Sequence, residues 1–303
     1  MCGRYASARN RQELLEEFQV ERDRVTESLA PDYNVAPTKP VYAVLTRRER
    51  APREPAAEEP GAAESSAAES SAAESSAAGS PDADPVRELR VVRWGLVPSW
   101  AKDASIGSRL INARAETVST KPAFRRAFAR RRCLLPADGF YEWQAAGDGP
   151  HARKQPYFIH RPDGGVLAFA GLYELWRDPA VPDGDPDAWL WSATIITTQA
   201  PDDLGQIHDR TPMVIEPARW ADWLDPGHAD EAALHALLAP AVSGGLTSYP
   251  VSTEVNSVRH NGPGLIERVN PDPEPAGTAP ASSRGATAGQ HGDASHGGAD
   301  RLF

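Results

Sequence analysis

The feature that most constrains the fold is a stretch with nothing to bury. Residues 49–88 contain no Leu, Ile, Phe, Tyr or Trp and include a five-residue AAESS repeat beginning at Ala62, Ala67 and Ala72. Such a segment cannot build a core, and its paired serines and missing apolar stripe oppose the helix that Ala and Glu would otherwise favour. Strand-like sequence flanks it, Pro40–Leu45 before and Leu89–Trp94 after. It therefore reads as a disordered acidic insertion in a loop, spanning 47–88, and not as a linker between domains. The tail 271–303 is rich in Gly, Ala, Ser and Pro and has the same character. Setting both aside in a chain of 303 residues leaves about 230, enough for one domain spanning 2–270.

The formal charge of −10 sits mostly outside that domain. Residues 49–88 carry ten acids against three bases and residues 271–303 four against two, so a net charge of only −1 remains for everything else. A local basic groove is compatible with that balance. Two cysteines, Cys2 and Cys133, with no CxxC pair, exclude a disulfide framework and a zinc site of ordinary spacing. No apolar run is long enough to span a membrane and the N-terminus lacks a secretory core, so a cytoplasmic protein is expected. Cys133 lies in an apolar run and reads as a buried, inert thiol.

Leu14, Leu15 and Phe18 at helical spacing predict a short helix over Arg9–Phe18, after an N-terminal strand. Further helices are expected over Val118–Ala129, with Pro122 in the first turn, over Pro217–Trp223 and over Asp230–Leu238. Strand-like runs are Arg132–Leu135, Gly139–Trp143, Tyr157–His160, Leu167–Tyr173, Trp191–Thr197 and Met213–Ile215. Many short strands with few helices between them predict an α+β fold with a largely antiparallel, curled or barrel-like sheet and flanking helices.

Cys2 carries distinctive chemistry if Met1 is removed, as its small side chain favours. Residue 2 then holds an α-amine with a pKa of about 7.7–8.0 beside a thiol. The amine condenses with an aldehyde to a Schiff base, and the thiol closes onto the imine carbon as a five-membered thiazolidine. A thiol with a lowered pKa would also serve in acyl transfer. Glu142 stands among Phe140, Tyr141 and Trp143, surroundings that desolvate a carboxylate and raise its pKa toward neutrality.

Seven motifs punctuate the domain: MCGRY from residue 1, YNVAPT from 33, RWGLVPSW from 93, INARAET from 111, PADGFYEW from 136, IHDRTPMVI from 207 and VNSVRHNGP from 255. In this order they resemble the SRAP family, the SOS-response-associated peptidases, over Cys2 to about Val269. The resemblance implies a mixed fold around a barrel-like sheet, binding of single-stranded DNA, and covalent capture of abasic sites through Cys2 with neither metal nor organic cofactor. It assigns Cys2, Asn112, Glu142 and His208 to catalysis. Asn112 hydrogen-bonds the Cys2 end, Glu142 moves the proton of Schiff-base formation, and His208 protonates the opened sugar or helps eliminate the 3′ phosphate. AP-lyase and self-processing peptidase activities are implied beside the crosslink.

The DNA-binding candidates are Arg4, Asn34, Pro37, Trp94, Trp100 and Arg114. Arg4 and Arg114 suit phosphates, which carry the bulk of single-strand affinity. Trp94 and Trp100 bracket a turn and could stack on unpaired bases, Trp94 being the more core-like of the two. Pro37 shapes a wall beside Asn34, and the arginines from Arg125 to Arg132 form a basic cluster that either meets DNA or is a solvated helix face. Two features depart from the family pattern: His260, and the acidic insertion, expected near the groove and weakening DNA binding. The protein is expected to act as a monomer. Two other readings stay open, a glutamine amidotransferase-like enzyme with an N-terminal cysteine nucleophile and a non-catalytic reader of modified bases or single strands.

Overall fold

The computed structural model describes residues 2–48, 84–146, 153–182, 184–227, 230–239 and 245–270. The disorder expected of 49–83 and 271–303 lies outside the described residues. The first half holds β1 (Tyr5–Ser7), α1 (Arg11–Glu17), β2 (Arg22–Asp23), β3 (Asp32–Val35), β4 (Pro40–Arg48), β5 (Pro85–Trp94), β6 (Asn112–Arg114) and α2 (Arg125–Arg130). The second half continues with β7 (Arg132–Ala137), β8 (Gly139–Ala146), β9 (Arg153–His160), β10 (Leu167–Arg177), β11 (Trp189–Gln199), α3 (Asp202–Gly205), β12 (Arg210–Pro212), α4 (Trp220–Leu224), α5 (Glu231–Leu237) and β13 (Thr247–Pro250).

Among these residues the strands form two sheets. One runs β12-β11-β10-β7-β4-β5-β2, and β11 also pairs in parallel with β5 through Ser192↔Arg93 and Ala193↔Trp94. That pairing joins the ends of β5-β4-β7-β10-β11, so these five strands close into a barrel without free edges. The other sheet, β13-β9-β8-β1-β3, is antiparallel throughout and lies across one mouth, with Tyr5 paired to both Val35 and Phe140.

Both faces of the barrel strands are buried, which explains their nearly unbroken apolar runs. Val41, Ala43, Leu45, Cys133, Leu135, Phe169, Ala193 and Ile195 form the inner cluster, joined by Trp94, Tyr5 and Phe140. The alternate residues Tyr42, Val44, Leu134, Ala170, Leu172 and Ile196 belong to an outer cluster with Leu14, Phe18, Phe128, Trp220 and Trp223 from the helices. Asn10 caps α1 by accepting from the Glu13 N–H at 3.0 Å. Trp223 Nε1 donates to the Cys133 carbonyl at 2.8 Å, fixing α4 on β7.

Four expectations need correction. The helix expected over Val118–Ala129 is α-helical only at Arg125–Arg130. Pro122 has no N–H to give the Val118 carbonyl, and the preceding residues close as turns on the Thr117 carbonyl. Met213–Ile215 is not a ladder strand. It makes a single bridge, Val214↔Phe169, and inserts between Ala170 and Ile196 through Met213. The insertion is shorter than 47–88, because Arg47 and Arg48 pair with Val86 and Pro85. Its ends leave the hairpin roughly 26 Å along the strand from Pro40 and the Trp94 end, not beside the Asn34 and Trp94 motifs. The basic cluster is also partly internal. Arg132 is buried and donates to the carbonyls of Phe128, Ala129, Trp223 and Asp225, while Arg131 pairs with Glu174.

Gly95, just beyond the closing rungs, has φ of 124°, and a Cβ there would lie 2.5 Å from the Gly107 carbonyl oxygen. No other residue fits without moving the Gly107 backbone. Gly95→Ala is therefore expected to destabilise the fold by about 2–4 kcal/mol, combining backbone strain with overpacking. Urea unfolding should show a lowered midpoint with unchanged slope, and a midpoint equal to wild type would contradict the close approach.

Candidate active site

The β1 pairings hold the N-terminus over the barrel mouth, helped by the Tyr141 N–H donating to the Arg4 carbonyl at 3.0 Å. Cys2 has no solvent exposure and belongs to the inner cluster. Asn112, on β6 and in register with Ile195, donates from Nδ2 to the Cys2 carbonyl at 2.7 Å. Its Oδ1 is buried and accepts no hydrogen bond. Glu142 comes from β8 and is 3 % exposed. Burial raises its carboxyl to about 7, opposed by the positive charge of the chain's amino terminus. The Cys2 thiol is raised well above the thiol range, by burial first and by the Glu142 carboxylate second. The lowered thiol pKa considered for acyl transfer is thus not found.

His208 lies between α3 and β12, and Gln144 of β8 ties that segment down by donating to the Gln206 carbonyl at 3.3 Å. The His208 Nδ1 is 2.9 Å from the backbone N–H of Arg210 and 2.9 Å from a carboxylate oxygen of Asp209. It accepts from the first when unprotonated and donates to the second when protonated. Burial, then the amino-terminal charge, lowers its pKa and favours the neutral ring. Electrostatic coupling links Glu142 to Cys2 and both Glu142 and His208 to the amino-terminal charge, and Asn112 bonds Cys2 directly. The Asn112, Glu142 and His208 side chains therefore gather around the N-terminal end of the chain. Their chemistry suits proton transfer beside a buried amine and thiol.

The DNA-binding candidates divide. Asn34 is completely buried, accepts from Arg4 Nη1 at 2.7 Å and donates to the carbonyls of Val255, Ser257 and His260. It staples the 253–260 segment and presents nothing to a ligand. Trp94 is also completely buried, edge-on to Tyr5 with Nε1 donating to the Ile111 carbonyl, and cannot stack on a base. Arg4 commits Nη1 to Asn34 and to the Val255 carbonyl, with its guanidinium 5.9 Å from the Trp143 ring centroid. Its first role is bracing the N-terminus. Pro37 is half-buried in the turn where Thr38 adopts φ of 74°. Arg114 is exposed, on the same face of β6 as Asn112, and Trp100 is 60 % exposed.

Sequence reasoning passed over Glu116, Asp209 and Arg210. All three stand inside the INARAET and IHDRTPMVI motifs, and charge-bearing positions beside the chosen residues were the available signal. Among the described residues no group of three or more His, Cys, Asp or Glu side chains could hold a metal ion, and no helix is long and apolar enough to cross a membrane.

A family profile described as SOS response associated peptidase (SRAP) matches residues 1–258. The abasic site processing protein YoqW of Bacillus subtilis is 34% identical over 267 residues, covering 88% of this chain and 99% of its own. The abasic site processing protein HMCES of Gallus gallus is 34% identical over 200 residues, covering 58% of this chain and 56% of its own. Among solved structures, a protein from Bacteroides thetaiotaomicron superposes with a TM-score of 0.53 at 28% identity over 60% of this chain and 78% of its own. A second, from Bordetella bronchiseptica, shares the fold with a TM-score of 0.55 at 21% identity over 83% of this chain and 100% of its own.

The Glu142 environment has a measurable cost. The folded carboxyl titrates near 7 against an ordinary 4.5, so between those pH values the folded state keeps a proton that the unfolded state releases. Stability therefore falls as pH rises through that window, by on the order of 3 kcal/mol at most. Glu142→Gln lacks this loss and should gain stability over wild type in urea unfolding above pH ~8, with little gain near pH ~4.5. Parallel stability profiles for the two proteins would refute the buried, protonated carboxyl.

Proposed function

The chain belongs to the SOS response associated peptidase family of abasic site processing proteins, and from that membership we propose that it captures abasic sites in single-stranded DNA as a covalent thiazolidine on Cys2. The observation that carries the reading is the setting of residue 2, held by Asn112 and facing a carboxyl that titrates near 7. At neutral pH such a group is present in both protonation states, so it can give and take a proton in consecutive steps.

The steps balance as follows. The α-amine of Cys2, freed by loss of Met1, adds to the aldehyde carbon of the ring-opened deoxyribose. Protonated Glu142 supplies the proton with which the carbinolamine hydroxyl leaves as water, giving the iminium. The thiol then forms the C–S bond, its proton passes to the Glu142 carboxylate, and the iminium nitrogen becomes the ring amine. A protonated thiol needs such a base at hand. The buried, unengaged Oδ1 of Asn112 is suited to accept from the amine as it attacks. His208, with its ring neutral, donates a ring N–H hydrogen bond that polarises the ring oxygen while the sugar opens and the C1′ hydroxyl proton passes to that oxygen. Exposed Trp100 and Arg114 are the surface groups suited to an unpaired base and a phosphate.

An oligonucleotide with one abasic site, run on a denaturing gel, tests this directly. Wild type should give a heat-stable adduct. Cys2→Ser should give only an imine trapped by borohydride, and protein retaining Met1 should give neither. An undiminished adduct with Cys2→Ala would end the proposal.

The binding surface is tested separately by titration. Trp100→Ala should weaken single-strand affinity about tenfold, within the range of one stacked base. Arg114→Gln should lower the salt dependence of binding by about 0.7 in log–log slope, the loss of one phosphate contact. Unchanged affinity and slope in both variants would place the DNA elsewhere.

A further inference from the structure

Glu116 and Arg210 come from separate motifs, INARAET and IHDRTPMVI, and meet as a two-point ion pair. Arg210 Nη1 lies 2.6 Å from Glu116 Oε1 and Nη2 lies 3.0 Å from Oε2. Nη2 also donates to the Thr197 carbonyl of β11 at 2.6 Å, an oxygen shared with the Ala115 N–H at 2.9 Å. Arg210 is 16 % exposed and Glu116 53 %. An exposed ion pair contributes little, but a two-point carboxylate clamp on a mostly buried guanidinium that is also fixed to a strand carbonyl is rigid. It ties the loop after β6 to β11 and to the start of β12.

Rigidity at Arg210 has a chemical consequence two residues back. The same residue's backbone N–H points at His208 Nδ1 from 2.9 Å, while the exposed Asp209 carboxylate competes for that nitrogen at the same 2.9 Å. The N–H requires a bare Nδ1, which puts the ring proton on Nε2. The carboxylate requires Nδ1–H.

We propose that the Glu116–Arg210 clamp is a positioning device that holds His208 in its Nε2–H tautomer by fixing the Arg210 N–H against Nδ1 and so outcompeting Asp209. In that tautomer the neutral ring offers an N–H donor at Nε2, and the inference rests on the proposed hydrogen-bond-donor role of His208. The charged groups acting on the ring are Asp209, Lys154 of β9 and the chain's amino terminus, with Arg210 engaged by Glu116. Of these only Asp209 can take a proton bond at Nδ1.

The test uses the full chain labelled with 15N-histidine. Long-range proton–nitrogen spectra report which ring nitrogen is protonated, the His208 signals being identified by their loss in His208→Gln. Wild type should show the Nε2–H form at neutral pH. Glu116→Gln, at a half-exposed site that folding tolerates, and Arg210→Lys, which keeps the charge but not the two-point geometry, should both shift the ring toward the Nδ1–H tautomer. Adding Asp209→Asn to Arg210→Lys should restore Nε2–H, a rescue that simple loss of structure would not give. The rate of reaction with abasic DNA should fall about tenfold in the clamp variants, less than the ~10²–10⁴-fold of deleting an acid–base group, with single-strand affinity within about twofold of wild type. An unchanged tautomer in both clamp variants, or no rescue by Asp209→Asn, overturns the proposal. If the tautomer responds as stated while wild type forms no adduct, the clamp stands and the proposed function falls.

Discussion

The parallel contact between β5 and β11 closes the barrel, and the placing of Trp94, Tyr5 and the Asn112 strand depends on it. Two rungs, Ser192↔Arg93 and Ala193↔Trp94, are extended by the Gly95 N–H donating to the Ala193 carbonyl at 2.7 Å. Closure carries Trp94 inside, where it meets Tyr5 edge-on at a centroid distance of 5.2 Å. Tyr5 in turn anchors β1 across the mouth, and Cys2 lies three residues before it. The same β11 accepts β6 alongside, in register at Ile195↔Asn112, which delivers the Asn112 amide to the Cys2 carbonyl. A barrel opened at this seam would lose its core and its site together.

Burial then governs the chemistry. Taking a carboxyl, a thiol and an imidazole out of water favours the neutral form of each. The Glu142 carboxyl rises to about 7, the Cys2 thiol rises above the thiol range, and the His208 ring is pushed toward neutrality. The thiol and the ring are held toward their neutral forms while the carboxyl titrates near 7, which suits proton exchange near neutral pH. The stability lost at Glu142 when pH rises is the cost of that arrangement, held in place by hydrogen bonds and core packing elsewhere in the fold.

Reading the residues as chemistry succeeded where local neighbours decide the outcome and failed where distant ones do. Glu142 was marked for a raised pKa because aromatics flank it, and its pKa is raised. The cause differs in part, since Phe140 joins the inner cluster while Tyr141 and Trp143 pack with the outer face of the second sheet. Asn34 and Trp94 stood among the DNA-binding candidates, Trp94 as the more core-like tryptophan, and both are buried. Their partners proved to be the 253–260 segment and Tyr5, and sequence spacing gives no sign of either. Glu116 and Arg210 were passed over for the same reason, because an ion pair spanning that separation is visible only after folding.

The sequence by itself determined the long barrel strands, the family and the residue types of the site. Apolar runs such as VYAVL and LAFAGLY can only be strands buried on both faces, and the motifs lie within single elements or their turns. Where the insertion leaves the fold and which polar residues are consumed internally were decided by tertiary structure alone. Each depends on partners distant in sequence, brought within hydrogen-bonding distance only when the strands pair and the fold is complete.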